Sequence, residues 1–346
     1  MIAVHITLIL TGGTICSKTT AEGVRRSDAG SAVTVLEQHY RLAHPYDRVQ
    51  FDVRTPTDCL SEDLTPDDWR TLIGEILHTD LAKTDGIIIA HGTDTLDQTA
   101  AVLSAALTGI PVPVLLVSAI APLSDPRTNG HANFAAAVRL IRKKLAPGVW
   151  AVYENSDSVM YLHRGFELLP CQHGSLSFYS QTMQPAEQVI EAEPVSAAYN
   201  TDRLNRSGLE AAVKGCADVL LLYPYNGLRY DCVPAENFSA VVHATYHSET
   251  ANSQRFTPYG VQELLFRCRQ ANIPCYLAPC EITPDSYGSS YDLVQEGAVP
   301  LAGMTPVFAY AAVWLGCQMG LSGDALTARV RQQRLSLESQ TFRCCI

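Results

Sequence analysis

The sequence predicts an α/β protein: a larger N-terminal parallel-sheet domain, a linker, and a smaller C-terminal α/β domain. Three observations lead there. Short apolar, β-rich runs at 2–10, 85–90, 112–120 and 148–153 have the length and composition of buried strands. Segments with helical apolar spacing lie between them, and strands alternating with helices build a parallel sheet. A polar stretch near 185–207 then separates this alternation from a second one. The expected division is 1–190 for the first domain, 191–212 for the linker and 213–346 for the second domain.

The first run ends in Thr11-Gly12-Gly13-Thr14-Ile15. Two glycines let the backbone turn sharply and approach a ligand, and flanking threonines put hydroxyls beside bare N–H groups. That fits a nucleophile at an anion-binding nest, and it also fits a tight strand-to-loop turn with surface threonines. Polar residues 18–31 read as a mobile loop beside this turn. A helix over 33–42 and a strand over 51–55 follow. Leu60-Ser61-Glu62-Asp63 precedes Thr65-Pro66-Asp67-Asp68, where a threonine N-cap, a proline at the first helical position and two acids open a helix. Its Trp69, Leu72, Ile73, Ile76 and Leu77 share one apolar face.

The run at 85–90 leads into His91-Gly92-Thr93-Asp94-Thr95 and a helix over 96–107. A strand running into a Gly-Thr turn therefore occurs twice in the first hundred residues. Ligands in such sheets bind beyond the carboxyl ends of the strands, where both turns lie. Asp94 reads either as the N-cap of the following helix or as a ligand contact, with Thr95 free to cap in its place. His91 reads as a packed histidine at a strand end. A helix over 132–145 follows Asn129-Gly130. After the linker come strands over 218–223, 239–246 and 274–279 and helices over 258–271, 305–317 and 324–331.

Composition bounds the function. Hydrophobic residues make up 47% of the 346, and no apolar run reaches the ~18 residues of a spanning helix. The first apolar run leads straight into the glycine turn, so it reads as part of the fold and not as a signal peptide. A formal charge of −10 with scattered basic residues speaks against nucleic acid. Eleven cysteines, an odd number, suggest reduced thiols in a cytoplasmic protein. No cysteine pair has zinc-knuckle spacing. His243 and His247 are four apart, but on a strand that spacing loses its metal meaning, so no metal and no cofactor are expected.

Thr-Gly-Gly-Thr-Ile after the first strand and residues 85–100 (DGIIIAHGTDTLDQTA) together resemble the two signatures of the asparaginase/glutaminase family of amidohydrolases. Residues 113–122, Asn129-Gly130 with Asn133, and Gly303-Met304-Thr305-Pro306 resemble further family segments. The resemblance covers nearly the whole chain and is strongest over 1–150. It implies a threonine nucleophile, Thr14, attacking a side-chain amide of L-asparagine or a relative and releasing ammonia. It implies Thr93 as second catalytic threonine, Asp94 on the substrate α-amino group, Ser61 on the α-carboxylate, and Gly13, Gly92, Glu62 and Ala119 around the substrate. A loop of the second domain, holding Ser248, Glu249 and Asn252, would reach a neighbouring subunit's site, with Glu249 on the substrate amino group or simply a solvated loop charge. Homodimers or homotetramers are implied, with a small-molecule amino-acid amide as substrate.

Three departures stand out. Where related sequences carry a cluster lysine this chain has Pro170, and no lysine lies between Lys144 and Lys214. His163, Arg164 or His173 is expected to move in, histidine being the better proton carrier; otherwise the cluster is weakened. Residues 16–31 contain no lid tyrosine, which leaves Lys18, Asp28 and Glu22 as titratable candidates. The family's arginine position is Ala121, after Ser118-Ala119. Alternatives stay open: an amidase for a modified or peptide-borne amide, an inactive aspartate-binding homologue, and, ranked lower, the ammonia-releasing subunit of a tRNA-dependent amidotransferase.

Overall fold

The computed structural model describes residues 3–191 and 204–341. The chain divides into two compact units between Arg206 and Ser207. Of the expected linker 191–212, residues 192–203 lie outside the described residues, and Arg206–Val213 is a helix.

In the first unit β1 (Val4–Leu10) leads into a hairpin, β2 (Ser17–Thr19) and β3 (Arg25–Ser27). Then come α1 (Ala29–Ala43), β4 (Val49–Arg54), α2 (Pro66–Leu77), β5 (Gly86–Ala90), α3 (Leu96–Ala106), β6 (Pro113–Val117), α4 (Gly130–Arg142) and β7 (Gly148–Glu154). Strands β8 (Met160–Arg164) and β9 (Gln184–Pro185) and helix α5 (Ala186–Glu191) complete it. The sheet order is β4-β1-β5-β6-β7-β8-β9. Its first five strands are parallel, and β8 and β9 add antiparallel. The chain leaves β1 for one edge and returns on the other side at β5. The order reverses between these two strands, and a crevice at their carboxyl ends follows from that reversal.

Period-two alternation sends Ile6, Leu8, Leu10, Ile88, Ala90, Leu115 and Val117 into one core with Leu36 and Tyr40 of α1 and Phe134, Val138 and Ile141 of α4. Ile9, Ile87, Ile89 and Leu116 alternate with them and are equally buried, as two-sided parallel strands require. Helix α2 opens on the expected Thr65 N-cap, which Asp68 completes as a capping box, and its Trp69 indole N–H donates to Thr99 of α3 at 3.1 Å.

The segment expected as a mobile loop is the β2–β3 hairpin. Gly23 (φ 77°) closes its turn, with Thr20 and Val24 bonded across it. The Asp58 carboxylate anchors its base, accepting from the Ser27 hydroxyl and the Ala29 N–H. Helix α1 starts four residues before its expected beginning because Asp28 caps it through the Ser31 N–H at 3.2 Å.

The second unit runs α6 (Arg206–Val213), β10 (Val219–Leu222), β11 (Ala240–Ala244), α7 (Val261–Ala271), β12 (Cys275–Ala278), α8 (Gly288–Gln295), β13 (Val299–Pro300), α9 (Pro306–Gln318) and α10 (Gly323–Thr341). Its four strands are parallel in the order β10-β11-β12-β13. Val261, Leu264 and Leu265 of α7 pack on Val241 and Leu277. Helix α10 extends well past the 324–331 expected for it. Among the described residues no helix is long and apolar enough to cross a membrane.

Candidate active site

The two threonine turns meet backbone to backbone. A Cβ on Gly13 would stand 2.2 Å from the Gly92 Cα, and one on Gly92 would stand 2.4 Å from the Ser61 Oγ. Only glycine fits at either place. Gly13 also holds φ 73°, ψ −170°, a region essentially reserved for glycine. From above, the chain at 57–61 locks the turn: the Gly13 N–H donates to the Cys59 carbonyl at 2.8 Å, and the Thr57 hydroxyl to the Thr11 carbonyl at 3.1 Å. The Thr11 hydroxyl and N–H both reach the Ala90 carbonyl at 3.0 Å, tying β1 to β5 at their ends.

Thr14 therefore leaves this lock as the first residue of a 3-10 turn, Thr14–Cys16. The Gly13 N–H is spent on Cys59 and is not an oxyanion donor. The N–H groups of Thr14 and Ile15 open the turn and so lack acceptors within it. Thr14 and Thr93 are both half-buried, and no other described residue engages either hydroxyl.

Ser61 is buried and acts as a keystone. Its Oγ accepts the Asp94 N–H at 3.2 Å, and its carbonyl accepts the Thr95 hydroxyl at 2.8 Å. Thr95 occupies the N-cap position of α3, so the Asp94 carboxylate is not the cap and stands exposed. Glu62 is exposed beside Ser61. Ala119 is fully buried in the core with its methyl group against Gly130, so only its backbone can face a ligand. Asn129 and Asn133 fix the floor. The Asn129 side chain bonds Ile120 N–H and the Glu154 carbonyl, and that of Asn133 bonds the Ser118 carbonyl and Glu154 N–H, at 2.8–3.0 Å.

Glu249 lies in the second unit. Its carboxylate accepts the Glu281 N–H at 2.7 Å and its carbonyl the Ser290 hydroxyl at 2.7 Å, with φ at 58°. One oxygen of the Glu249 carboxylate and its carbonyl thus hold a turn together, and the second carboxylate oxygen keeps its acceptor capacity.

His163 is fully buried with Nδ1 2.9 Å from the Ser180 Oγ, and burial lowers it to about 4. Arg164 is buried 4.0 Å from Glu167, and His173 and Pro170 are exposed. Cys171 instead comes within electrostatic reach of the cluster: burial raises its thiol, and the Asp94 and Asp97 carboxylates raise it further. Neither Cys171 nor Asp97 stood out in the sequence, because one follows a proline in a loop and the other reads as an ordinary first-turn acid. At the first threonine, Lys18 donates to Asp28, whose carboxyl falls to about 2 chiefly through that bond. Lys18 is thus committed as an ion-pair partner. The His91 Nδ1 lies 2.8 Å from the Gly92 carbonyl; since a carbonyl only accepts, Nδ1 carries the proton. Burial lowers His91 to about 4.

Asp97 is 1% exposed, its Oδ1 has no hydrogen-bond partner, and burial raises it from 3.8 to about 6. Its native form keeps a proton that the unfolded chain has lost between those values. The stability it contributes is complete below the lower value and is lost as pH rises through the higher one. Asp97→Asn removes this loss and is expected to raise stability at neutral pH by about 2–3 kcal/mol relative to wild type, with little difference at pH ~4. Neutral His91 and His163 act in the opposite sense in both proteins, so the check is the difference in Tm between variant and wild type at each pH. A difference independent of pH would refute the assignment.

Known proteins share this chain's sequence family and fold. The family model "Asparaginase, N-terminal" matches residues 5–202. A glutamyl-tRNA(Gln) amidotransferase subunit of Metallosphaera sedula is 28% identical over 87% of this chain and 69% of its own length. An L-asparaginase of Thermococcus kodakarensis is 31% identical over 43% of each chain. The glutamyl-tRNA(Gln) amidotransferase subunit of that organism is matched over 36% of its length, so the chain spans less than half of both these Thermococcus proteins in sequence. In structure, the thermostable L-asparaginase from Thermococcus kodakarensis superposes with a TM-score of 0.73 over 95% of this chain and 96% of that one, at 19% identity. L-asparaginase I from Vibrio cholerae gives 0.68 over 96% and 98%, at 21% identity.

Proposed function

The chain belongs to the asparaginase family, and from that premise we propose that it is a threonine-nucleophile amidohydrolase that releases ammonia from the side-chain amide of L-asparagine or a related compound. The observation that carries this reading is the interlock of Gly13, Gly92 and Ser61, which holds two unengaged threonine hydroxyls at the reversal point of a parallel sheet.

The Thr14 Oγ1 attacks the amide carbon. The C–O bond forms, the C–N bond breaks, and the hydroxyl proton leaves with nitrogen as ammonia. Water then cleaves the ester, returning the hydroxyl and the free acid. The N–H groups of Thr14 and Ile15 are the donors available to the developing oxyanion. Thr93 orients the water, and the Asp94 carboxylate takes the substrate ammonium. Cys171, next to Pro170 and within electrostatic reach of Asp94 and Asp97, favours a rebuilt second cluster over an inert binding protein. We place the protein in a reducing, cytoplasmic compartment as a homo-oligomer, without cofactor.

Ammonia release from a panel of side-chain amides tests the reading. Wild type should turn over at least one, and Thr93→Ala should lose about 10²-fold or more in kcat. No ammonia from any amide sinks it. A second reading, the ammonia-supplying subunit of an amidotransferase, is favoured by the Metallosphaera relative, which aligns over most of this chain. Ammonia release that rises only with a co-purifying synthetase-like partner would select it.

A further inference from the structure

We propose that His91 is a positioning residue of the site: its buried imidazole holds the Gly92 carbonyl and thereby fixes the peptide from which Thr93 hangs. This rests on the amidohydrolase reading and concerns what keeps the second threonine in place.

The His91 Nδ1–H donates to the Gly92 carbonyl at 2.8 Å. His91 is 0% exposed, and its Nε2 has no hydrogen-bond partner among the described residues. The ring therefore spends its one hydrogen bond on Gly92. A buried imidazole with a bare acceptor costs stability that an aliphatic side chain of similar volume would not. What the histidine adds at this place is the Nδ1–H. Burial keeps the ring neutral, lowering it to about 4, so the donor persists across the neutral pH range.

Gly92 is held at its other atoms by contacts already in place. Gly13 packs against its N and Cα, which a Cβ on Gly13 would meet at 2.2–2.3 Å, and Ser61 covers the side where a Cβ on Gly92 would stand. Two residues on, the Asp94 N–H is anchored on the Ser61 Oγ at 3.2 Å. Between these fixed points the freedom left is the tilt of the Gly92–Thr93 peptide, and a glycine does little to restrict it. The imidazole sets that tilt.

The Gly92–Thr93 peptide is trans, so its C=O and N–H point in opposite directions. With the carbonyl turned to the buried ring, the Thr93 N–H points away from it, and no described residue accepts that N–H. A change of tilt would move both the N–H and the Thr93 side chain relative to Thr14, and a misplacement of about 1 Å is enough to cost a reaction much of its rate. His91 is buried, so it acts through Gly92 and not on the substrate.

The test measures ammonia release and Tm in two variants, with L-asparagine or another side-chain amide that wild type turns over. His91→Leu keeps the volume and removes the donor. It should lower kcat by about tenfold or more, with KM within about threefold and Tm within about 4 °C of wild type. His91→Asn keeps an N–H donor near the place of Nδ1 in a shorter side chain. It should recover most of the lost rate while its Tm falls further than that of His91→Leu, because a cavity is left. Rate and stability then rank the two variants in opposite orders, which a packing role would not produce. In 15N-histidine NMR at about pH 7, the His91 signal, identified by its loss in either variant, should be that of the Nδ1–H tautomer. Wild-type kcat in His91→Leu, equal rate losses in both variants, rate losses that follow Tm, an Nε2–H tautomer, or failure of both variants to fold each overturns the proposal and leaves the amidohydrolase reading standing. No ammonia from any amide with wild type rejects that reading and the proposal together.

Discussion

Thr14→Ala is expected to lower kcat for ammonia release by about 10³-fold or more, with the fold intact. Removing a nucleophile abolishes the covalent route and leaves only what binding and the oxyanion donors supply. The structural cost should be small. The Thr14 side chain is half-buried and its hydroxyl supports no other described residue, so the change is expected within ~0.5 kcal/mol and Tm within about 2 °C. A large rate loss with an unchanged Tm separates a reacting hydroxyl from a surface threonine on a tight turn. Thr14→Ser keeps an attacking oxygen and should recover part of the rate. Activity within tenfold of wild type in Thr14→Ala would remove Thr14 from the mechanism.

Gly13→Ala is expected to do the reverse, damaging the site through the fold. The new methyl group would meet the Gly92 backbone at 2.2–2.3 Å, and no rotamer change relieves a clash with backbone. The φ of 73° and ψ of −170° add a conformational cost. Overpacking and a disallowed backbone region each cost about 1–3 kcal/mol, so a combined loss of about 2–6 kcal/mol is expected. In a unit of this size that lowers Tm by roughly 5–20 °C. Gly30→Ala is the control: it sits in the first turn of α1 with nothing within 4 Å of its Cβ position, and it should be neutral or stabilising by up to ~1 kcal/mol. Equal effects of the two substitutions would show that the Gly13–Gly92 contact is not a constraint.

Most of the fold was legible because its signals are local. The apolar strands, the Thr65-Pro66-Asp67-Asp68 helix start and the Gly-Thr turns each declare themselves within a few residues. Strand β8 was not legible: its consecutive His163 and Arg164 are both buried, on opposite faces, and their polarity conceals a buried strand. The hairpin after Thr14 was missed because Asp58, distant in sequence, anchors it. The packing of His163 and Arg164, the expected lysine substitutes, was hidden for a related reason. Sequence adjacency to Pro170 says nothing about direction, and in the sheet these side chains turn to Ser180 and Glu167, while Cys171 comes into electrostatic reach of Asp94 and Asp97. The role of Glu249 in its own turn, accepting the Glu281 N–H, was not legible either, because that partner lies far along the chain.

By itself the sequence determined the parallel α/β architecture, the family, and the two threonines at strand ends, since periodicity and glycine turns are properties of contiguous residues. Only the tertiary structure decided that Gly13, Gly92 and Ser61 interlock, that the Gly13 N–H is spent on Cys59, and that Asp58 anchors the hairpin after Thr14. Those outcomes depend on which distant residues share a few ångströms of space, and charge and steric fit act through distance in space, not along the chain.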